Sequence, residues 1–260
     1  MLHHEISGNG KKPLVLLHGF MENTTIWEEM EAHLSKDFTL IKIDLPGHGK
    51  SKVYQEIHTV ELMAEKVKEV IYALKLEKIN LLGHSLGGYV SLAFAEKFPE
   101  ILESMTLFFS TTLADDEEKK AIRKRSIAVI DENFETFVKT SIPNLFSNNE
   151  KDILEGKIEL AKNIAKATNK EGVKAAQLGM AERPDRTETL ENLDAKILII
   201  AGKYDNAVKT ENLLKIIPEK TNIKTYVLDC GHNGHWEKPT ICAEIINTEL
   251  FHNLPKHFLL

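Results

Sequence analysis

Three side-chain types that together make and break acyl bonds stand at the ends of apolar runs in this chain. Ser85 lies in Gly83-His84-Ser85-Leu86-Gly87, directly after Ile79-Asn80-Leu81-Leu82 and directly before a stretch of helical apolar spacing. Asp205 follows "LIIAGKY", and His232 follows "YVLDCG". A serine hydroxyl near its free pKa is a poor nucleophile, so it needs an imidazole to take its proton and a carboxylate to orient that imidazole. A serine between glycines is also an ordinary tight turn, and the pentapeptide alone leaves both readings open. Its context favours chemistry. Flanking glycines remove side chains that would clash on a sharp strand-to-helix turn. A helix starting at Leu86 also turns free N–H groups and a positive dipole end toward the serine, where an oxyanion would form. In "VLLHGFMENTTIW" the Phe20 N–H is placed to be a second donor beside that of Leu86. Losing one such donor typically costs about 3 kcal/mol of transition-state stabilisation.

These residues are useful only if the chain brings them together. Short apolar runs at 13–17, 38–43, 79–82, 105–109, 196–200 and 224–228 predict buried strands. Helical spacing lies between several of them, as in Val60, Met63, Val67, Val70, Ile71 and Leu74. That alternation predicts an α/β fold with a mostly parallel, doubly wound sheet, because parallel neighbours need crossover connections. Ser85, Asp205 and His232 each sit just past a strand's C-terminal end, so one such sheet would carry all three to a single edge, in the chain order Ser, Asp, His. From about residue 112 to 190 the alternation stops and the composition turns charged and helical. We therefore expect a core of residues 1–111 and 191–260 and a helical insertion of residues 112–190 lying as a lid over the sheet's C-terminal edge.

The 33 Lys and Arg against 39 Asp and Glu give a net charge of −6, which offers no bulk attraction to nucleic acid or an anionic membrane. The partner expected is a small-molecule ester or acyl compound. No apolar stretch reaches membrane-spanning length, and "MLHHEISGNG" lacks the basic and apolar regions of a secretory signal. Only Cys230 and Cys242 are present, too few for a disulfide framework or a zinc site, and a cytoplasmic setting is the expectation.

Taken together, "HGF", "DLPGHGKS" (Asp44 to Ser51), "GHSLGGY", "GKYD" and "GHNGHWEKP", in that order, resemble the α/β-hydrolase superfamily over nearly all of the chain outside the insertion. The resemblance implies Ser85 as nucleophile, Asp205 as the acid, His232 as base and a helical cap over the site; acyl transfer by these groups requires no cofactor. Two departures are small: Lys196 stands where such chains often carry proline, and the stretch after Asp205 lacks a frequent proline. His235 is the rival base, but His232 directly follows the loop glycine, as the family's base does. His18 and His84 are expected to orient loops through hydrogen bonds. The spacing His232-x-x-His235-x-Glu237 lacks an H-E-x-x-H arrangement, so no metal is expected. Gly49-Lys50-Ser51 lacks the earlier glycine of a phosphate loop and is read as a turn. Asp194 precedes its strand, Asp229 shares a strand end with His232, and Ser110, Thr111 and Thr112 follow the "MTLFF" run with no carboxylate.

In the insertion, the acids at 115–118 and the bases Lys119, Lys120, Arg123, Lys124 and Arg125 read as a solvated helix face with i,i+4 pairs. The sharper alternative turns Arg123 or Arg125 inward onto an anionic substrate group. Phe134, Phe137, Leu145, Phe146 and Met180 are expected in the insertion's own core. The expected activity is hydrolysis of a small or medium carboxylic ester or thioester through an acyl-enzyme. The alternative is a lyase or C–C hydrolase using the same residues. "FFSTTLADDEEKKAIRKR" distantly resembles the menaquinone-pathway enzyme, although Tyr89 stands near where that enzyme carries a substrate-binding arginine. A serine elbow disfavours dehalogenase and epoxide hydrolase chemistry, which use aspartate. A ligand sensor on the same fold is the alternative of another class, and oligomeric state is left open.

Overall fold

The computed structural model describes residues 1–34 and 36–250. Six apolar runs become strands β2 (Lys12–Leu17), β3 (Phe38–Ile43), β4 (Ile79–His84), β5 (Leu102–Phe108), β6 (Lys196–Gly202) and β7 (Ile223–Leu228), preceded by the short β1 (His4–Ser7). β1, with the mixed sequence "HEIS", carries no apolar run and escapes the sequence reading; it pairs antiparallel on the edge with β3. The sheet order is β1-β3-β2-β4-β5-β6-β7, and every pairing after the first is parallel.

Side-chain alternation along the strands builds two cores, because successive residues point to opposite faces. Val15, Leu17, Leu81, Ile197 and Ile199 pack on one face with helices α2 (Val60–Ala73) and α3 (Leu86–Lys97). Leu14, Leu16, Leu82, Leu198 and Ile200 pack on the other with α1 (Glu28–Leu34) and α10 (Pro239–Leu250). Burial on both faces explains why the central strands read as continuous apolar runs rather than alternating ones. The edge strand β7 is half exposed and correspondingly carries lysine and threonine.

Between β5 and β6 the chain forms α4 (Glu117–Ser141), α5 (Glu155–Ala167), α6 (Lys170–Glu182) and α7 (Thr187–Asn192), with no strand among the described residues. α4 is broken at Asn133, whose φ of −155° and ψ of 84° leave the helical region, and its side chain re-caps the second half by accepting from the Thr136 N–H at 2.9 Å. Ile130, Phe137, Val138, Ile142 and Phe146 join the α1/α10-side core, so these helices extend the sheet's hydrophobic interior over its C-terminal edge. After β6 come α8 (Thr210–Ile216) and, beyond β7, the single turn α9 (Gly234–Glu237). No helix among the described residues is long and apolar enough to cross a membrane.

Candidate functional site

Ser85 is the hinge of the β4–α3 turn, with φ of +50° and ψ of −111°. A non-glycine residue in that region carries strain, and here the surroundings compensate it. The Ser85 N–H donates to the Phe108 carbonyl at 3.0 Å, while the Ser85 carbonyl accepts from Gly88 N–H at 2.9 Å and Ser110 Oγ–H at 2.8 Å. Backbone and carbonyl are thus committed, and the side chain opens onto a cavity of about 630 Å³.

His232 lines the same cavity, four residues past β7. Its Nδ1 lies 2.7 Å from Asp205 Oδ2, and Asp205 Oδ1 accepts the N–H groups of Ala207 and Val208 at 2.8 Å each. The Nδ1 contact places a ring proton on Nδ1 and leaves Nε2 as the nitrogen available to exchange one. The two amide bonds also close the turn that the absent proline would otherwise stiffen. The His232 N–H donates to the Leu145 carbonyl at 2.8 Å. Glu237 accepts from Gly231, Ser147 and Asn233 amides at 2.8, 3.1 and 3.2 Å, joining this loop to the chain after α4. Burial holds the Glu237 carboxyl above its usual pKa despite those three donors.

Phe20 also lines the cavity, three residues past β2. Among the described residues neither its N–H nor that of Leu86 donates to a protein acceptor. The Phe20 loop is held by His18, whose Nε2 accepts the Leu45 N–H at 2.9 Å, leaving Nδ1–H to donate to the Gly19 carbonyl at 2.7 Å. Burial lowers the His18 pKa, in keeping with this neutral tautomer. Met21, next in the loop, also has positive φ, at 59°.

The rivals fall elsewhere. His235 is fully buried and does not line the cavity. Asp229 is exposed and pairs with Lys203 at 3.2 Å. Asp44 accepts amides of Thr24 and Lys50 at 2.9 Å each, making "DLPGHGKS" a post-strand turn.

Arg123 does line the cavity and Arg125 is exposed away from it. However, Arg123 is bonded to the buried Asp115 and to Gln177 Oε1 at 3.1 Å. Arg183 also donates to Asp115, at 2.9 Å, and lies 4.0 Å over the Tyr89 ring. Burial alone would raise the Asp115 carboxyl, but these guanidiniums hold it below its usual value. The solvated-face reading holds for Lys120, paired with Glu117 at 2.8 Å, and fails for Asp115, whose side chain is inaccessible. Nothing in the sequence distinguished Asp115 from its acidic neighbours. Glu22 likewise reads as an ordinary loop carboxylate, and Glu237 reads only as part of the His232-x-x-His235-x-Glu237 spacing, with nothing to mark it as the acceptor of three loop amides. Phe134, Phe137, Leu145 and Phe146 pack with the α1/α10-side core and Met180 with the α2/α3-side core rather than in a core of the insertion's own; Phe137, Leu145 and Met180 also wall the cavity, whereas Phe146 is fully buried and stacks on Trp236.

A mostly parallel sheet whose strand-end loops converge on one cavity, beside a strained serine turn, defines an α/β hydrolase. The chain belongs to that family, whose model, described as alpha/beta hydrolase fold, matches residues 12–239. The chain is similar to a thermophilic esterase from Thermogutta terrifontis, solved with malate bound, at 32% identity and a TM-score of 0.89, covering 95% of this chain and 91% of that one. It is 28% identical to the putative 2-succinyl-6-hydroxy-2,4-cyclohexadiene-1-carboxylate synthase of Bacillus subtilis, over 92% of this chain and 90% of that protein. It is 26% identical to the 2-hydroxy-6-oxononadienedioate/2-hydroxy-6-oxononatrienedioate hydrolase of Escherichia coli, over 91% and 86%.

Proposed function

We propose that the protein is a serine hydrolase that cleaves a small or medium carboxylic ester through an acyl-enzyme. One observation carries this reading: an imidazole oriented by a carboxylate at 2.7 Å opens onto the same cavity as a serine held at φ +50°. Ser85 Oγ attacks the ester carbonyl as His232 Nε2 takes its proton. The carbonyl oxygen becomes an oxyanion facing the amides of Phe20 and Leu86. The tetrahedral species then collapses, the C–O bond to the alcohol breaks, and His232 returns the proton to the departing alkoxide. Water repeats the sequence, its proton passing to His232 and then to Ser85, and frees the acid. Asp205 offsets the imidazolium charge that appears in both halves. Residues 112–190 act as the cap, and residues 1–111 with 191–260 as the catalytic core. The similarity to the Thermogutta terrifontis esterase supports ester chemistry.

A second reading, C–C hydrolysis or the lyase reaction of the menaquinone type, draws on the names of the Bacillus and Escherichia relatives. It needs a cation to hold a substrate carboxylate. Arg123 and Arg183 line the cavity but are both engaged by Asp115, and Lys119 donates to the Ala207 carbonyl, so Lys209 is the lining cation on which this reading rests.

The test is incubation with a fluorophosphonate followed by peptide mass mapping, together with multiple turnover of p-nitrophenyl esters of graded chain length. The expected result is modification at Ser85 alone and turnover that Ser85→Ala abolishes while the protein stays folded. An unmodified Ser85 in folded protein would overturn the assignment, and labelling without turnover would favour a ligand sensor.

A further inference from the structure

Behind the Ser85 turn lies a group of titratable side chains that the hydrolytic cycle does not use. His84 is 1% exposed, and both of its ring nitrogens face acceptors: Nδ1 is 2.8 Å from Glu22 Oε2, and Nε2 is 3.0 Å from the backbone carbonyl of His232. Two acceptors need two ring protons, so the geometry calls for the imidazolium. Glu22 Oε2 also accepts the Gly19 N–H at 2.5 Å. This approach is possible only beside a glycine, because a Cβ on residue 19 would lie 2.7 Å from both Glu22 Oε2 and His84 Nδ1. One charged pair therefore touches the loop bearing Phe20, the residue before Ser85, and the backbone of His232 itself.

The pair is buried against aromatic rings on one side and lines the cavity on the other. His235 stands edge-on to His84 with ring centroids 4.6 Å apart and is flanked by Trp27, Phe108 and Trp236. Both His235 nitrogens are without a hydrogen-bond partner, its Nε2 lying 3.7 Å from Glu22 Oε1. Burial and the neighbouring His84 charge push its pKa well below the usual value, so it is neutral filler beside the pair. Burial alone would lower the His84 pKa, but Glu22 outweighs it and the net shift is upward; burial alone would raise Glu22, yet the histidines bring it down to about 2. The other charged or titratable groups facing His84 are His18, His232, His235 and Asp205.

We infer that Glu22 and His84 are positioning residues: the pair locks the oxyanion loop, the serine turn and the His232 loop into one rigid unit. The inference rests on the Ser85 hydrolase reading and adds to it a means by which three loops keep their spacing. The donor atoms of Glu22, His84 and His235 lie within 4.8 Å of one another, so a divalent cation is the competing explanation. It is less favoured because His84 and Glu22 Oε2 are already committed to each other and to two backbone groups.

The experiment compares wild type with Glu22→Gln and Glu22→Asp on a p-nitrophenyl ester. Misplacing reacting groups by a fraction of an ångström costs on the order of tenfold to a hundredfold, so Glu22→Gln is expected to lower kcat by that amount with little change in KM. The His84 charge is lost as pH rises through its raised pKa. Without the Glu22 carboxylate that loss moves to lower pH, and the alkaline limb of kcat/KM shifts down with it. Glu22→Asp, which keeps the charge, is expected to restore the limb toward wild type. In the wild-type protein, ¹⁵N spectra of histidine-labelled material should show His84 doubly protonated at pH 7 whether or not either variant folds. A neutral His84, or a folded Glu22→Gln with wild-type kcat and pH profile, would overturn the inference. Stoichiometric zinc in purified wild type, lost in Glu22→Gln, would overturn it in favour of a metal site. Wild type that no fluorophosphonate labels would instead sink the hydrolase reading beneath it.

Discussion

Replacing Asp205 by asparagine isolates what the carboxylate does, because the local hydrogen bonds dictate how the amide must sit. Oδ1 accepts two backbone amides at 2.8 Å each, and Oδ2 faces His232 Nδ1 at 2.7 Å. In the variant, the amide oxygen stays with the two N–H donors, and the NH₂ group turns to His232. A donor facing Nδ1 drives the imidazole proton to Nε2, the nitrogen that the proposed cycle needs free to accept from Ser85. Flipping the amide would restore the tautomer but leave the buried Val208 N–H and the partly buried Ala207 N–H without acceptors, at about 1–3 kcal/mol for a buried donor. Even at a combined 2 kcal/mol, only about one molecule in thirty would hold the competent tautomer. Loss of the negative charge beside the imidazolium adds to this, and the expected fall in kcat is about 10³ to 10⁴, or roughly 4–5 kcal/mol of barrier. The assay is turnover of p-nitrophenyl butyrate at pH 8, with fluorophosphonate labelling of Ser85 slowed in parallel. A folded Asp205→Asn protein that loses less than tenfold would refute the reasoning, because the tautomer penalty alone exceeds that.

Two further substitutions probe the frame around the site. A Cβ at Gly87 would meet the Leu17 carbonyl and lie 2.8 Å from the His18 carbonyl; backbone cannot yield as a side chain does, so Gly87→Ala should cost about 1–3 kcal/mol, read as a lower urea midpoint, and an unchanged midpoint would contradict the close approach. Asp115→Ala leaves the Arg183 guanidinium buried without its counter-charge, which should destabilise by about 3–5 kcal/mol; an unfolding free energy within 1 kcal/mol of wild type would show the network to be dispensable.

The motifs were legible because each is local. A glycine-flanked serine after an apolar run, a loop acid after β6 and a loop histidine after β7 all declare themselves within a few residues, and a mostly parallel sheet follows from strand and helix runs in alternation, though the strand order does not. β1 was not legible, because four residues of mixed polarity carry no period and acquire strand geometry only from the exposed edge of β3. The charged start of α4 misled in one respect. Asp115 looks like its neighbours Asp116 and Glu117 in the chain, yet it alone is drawn inward by arginines from α4 and from the residue after α6.

Residue order was enough to establish the α/β architecture and the family resemblance and to propose a short list of reactive side chains, since hydrophobic period and turn chemistry act over a few neighbours. Only the folded arrangement put His232 on the cavity and His235 off it, set Asp205 against a partner 27 residues away, and joined His84 to Glu22 and to the His232 carbonyl across 62 and 148 residues. Such pairings depend on which polar groups are buried together and must satisfy one another, and nothing in the spacing along the chain records that.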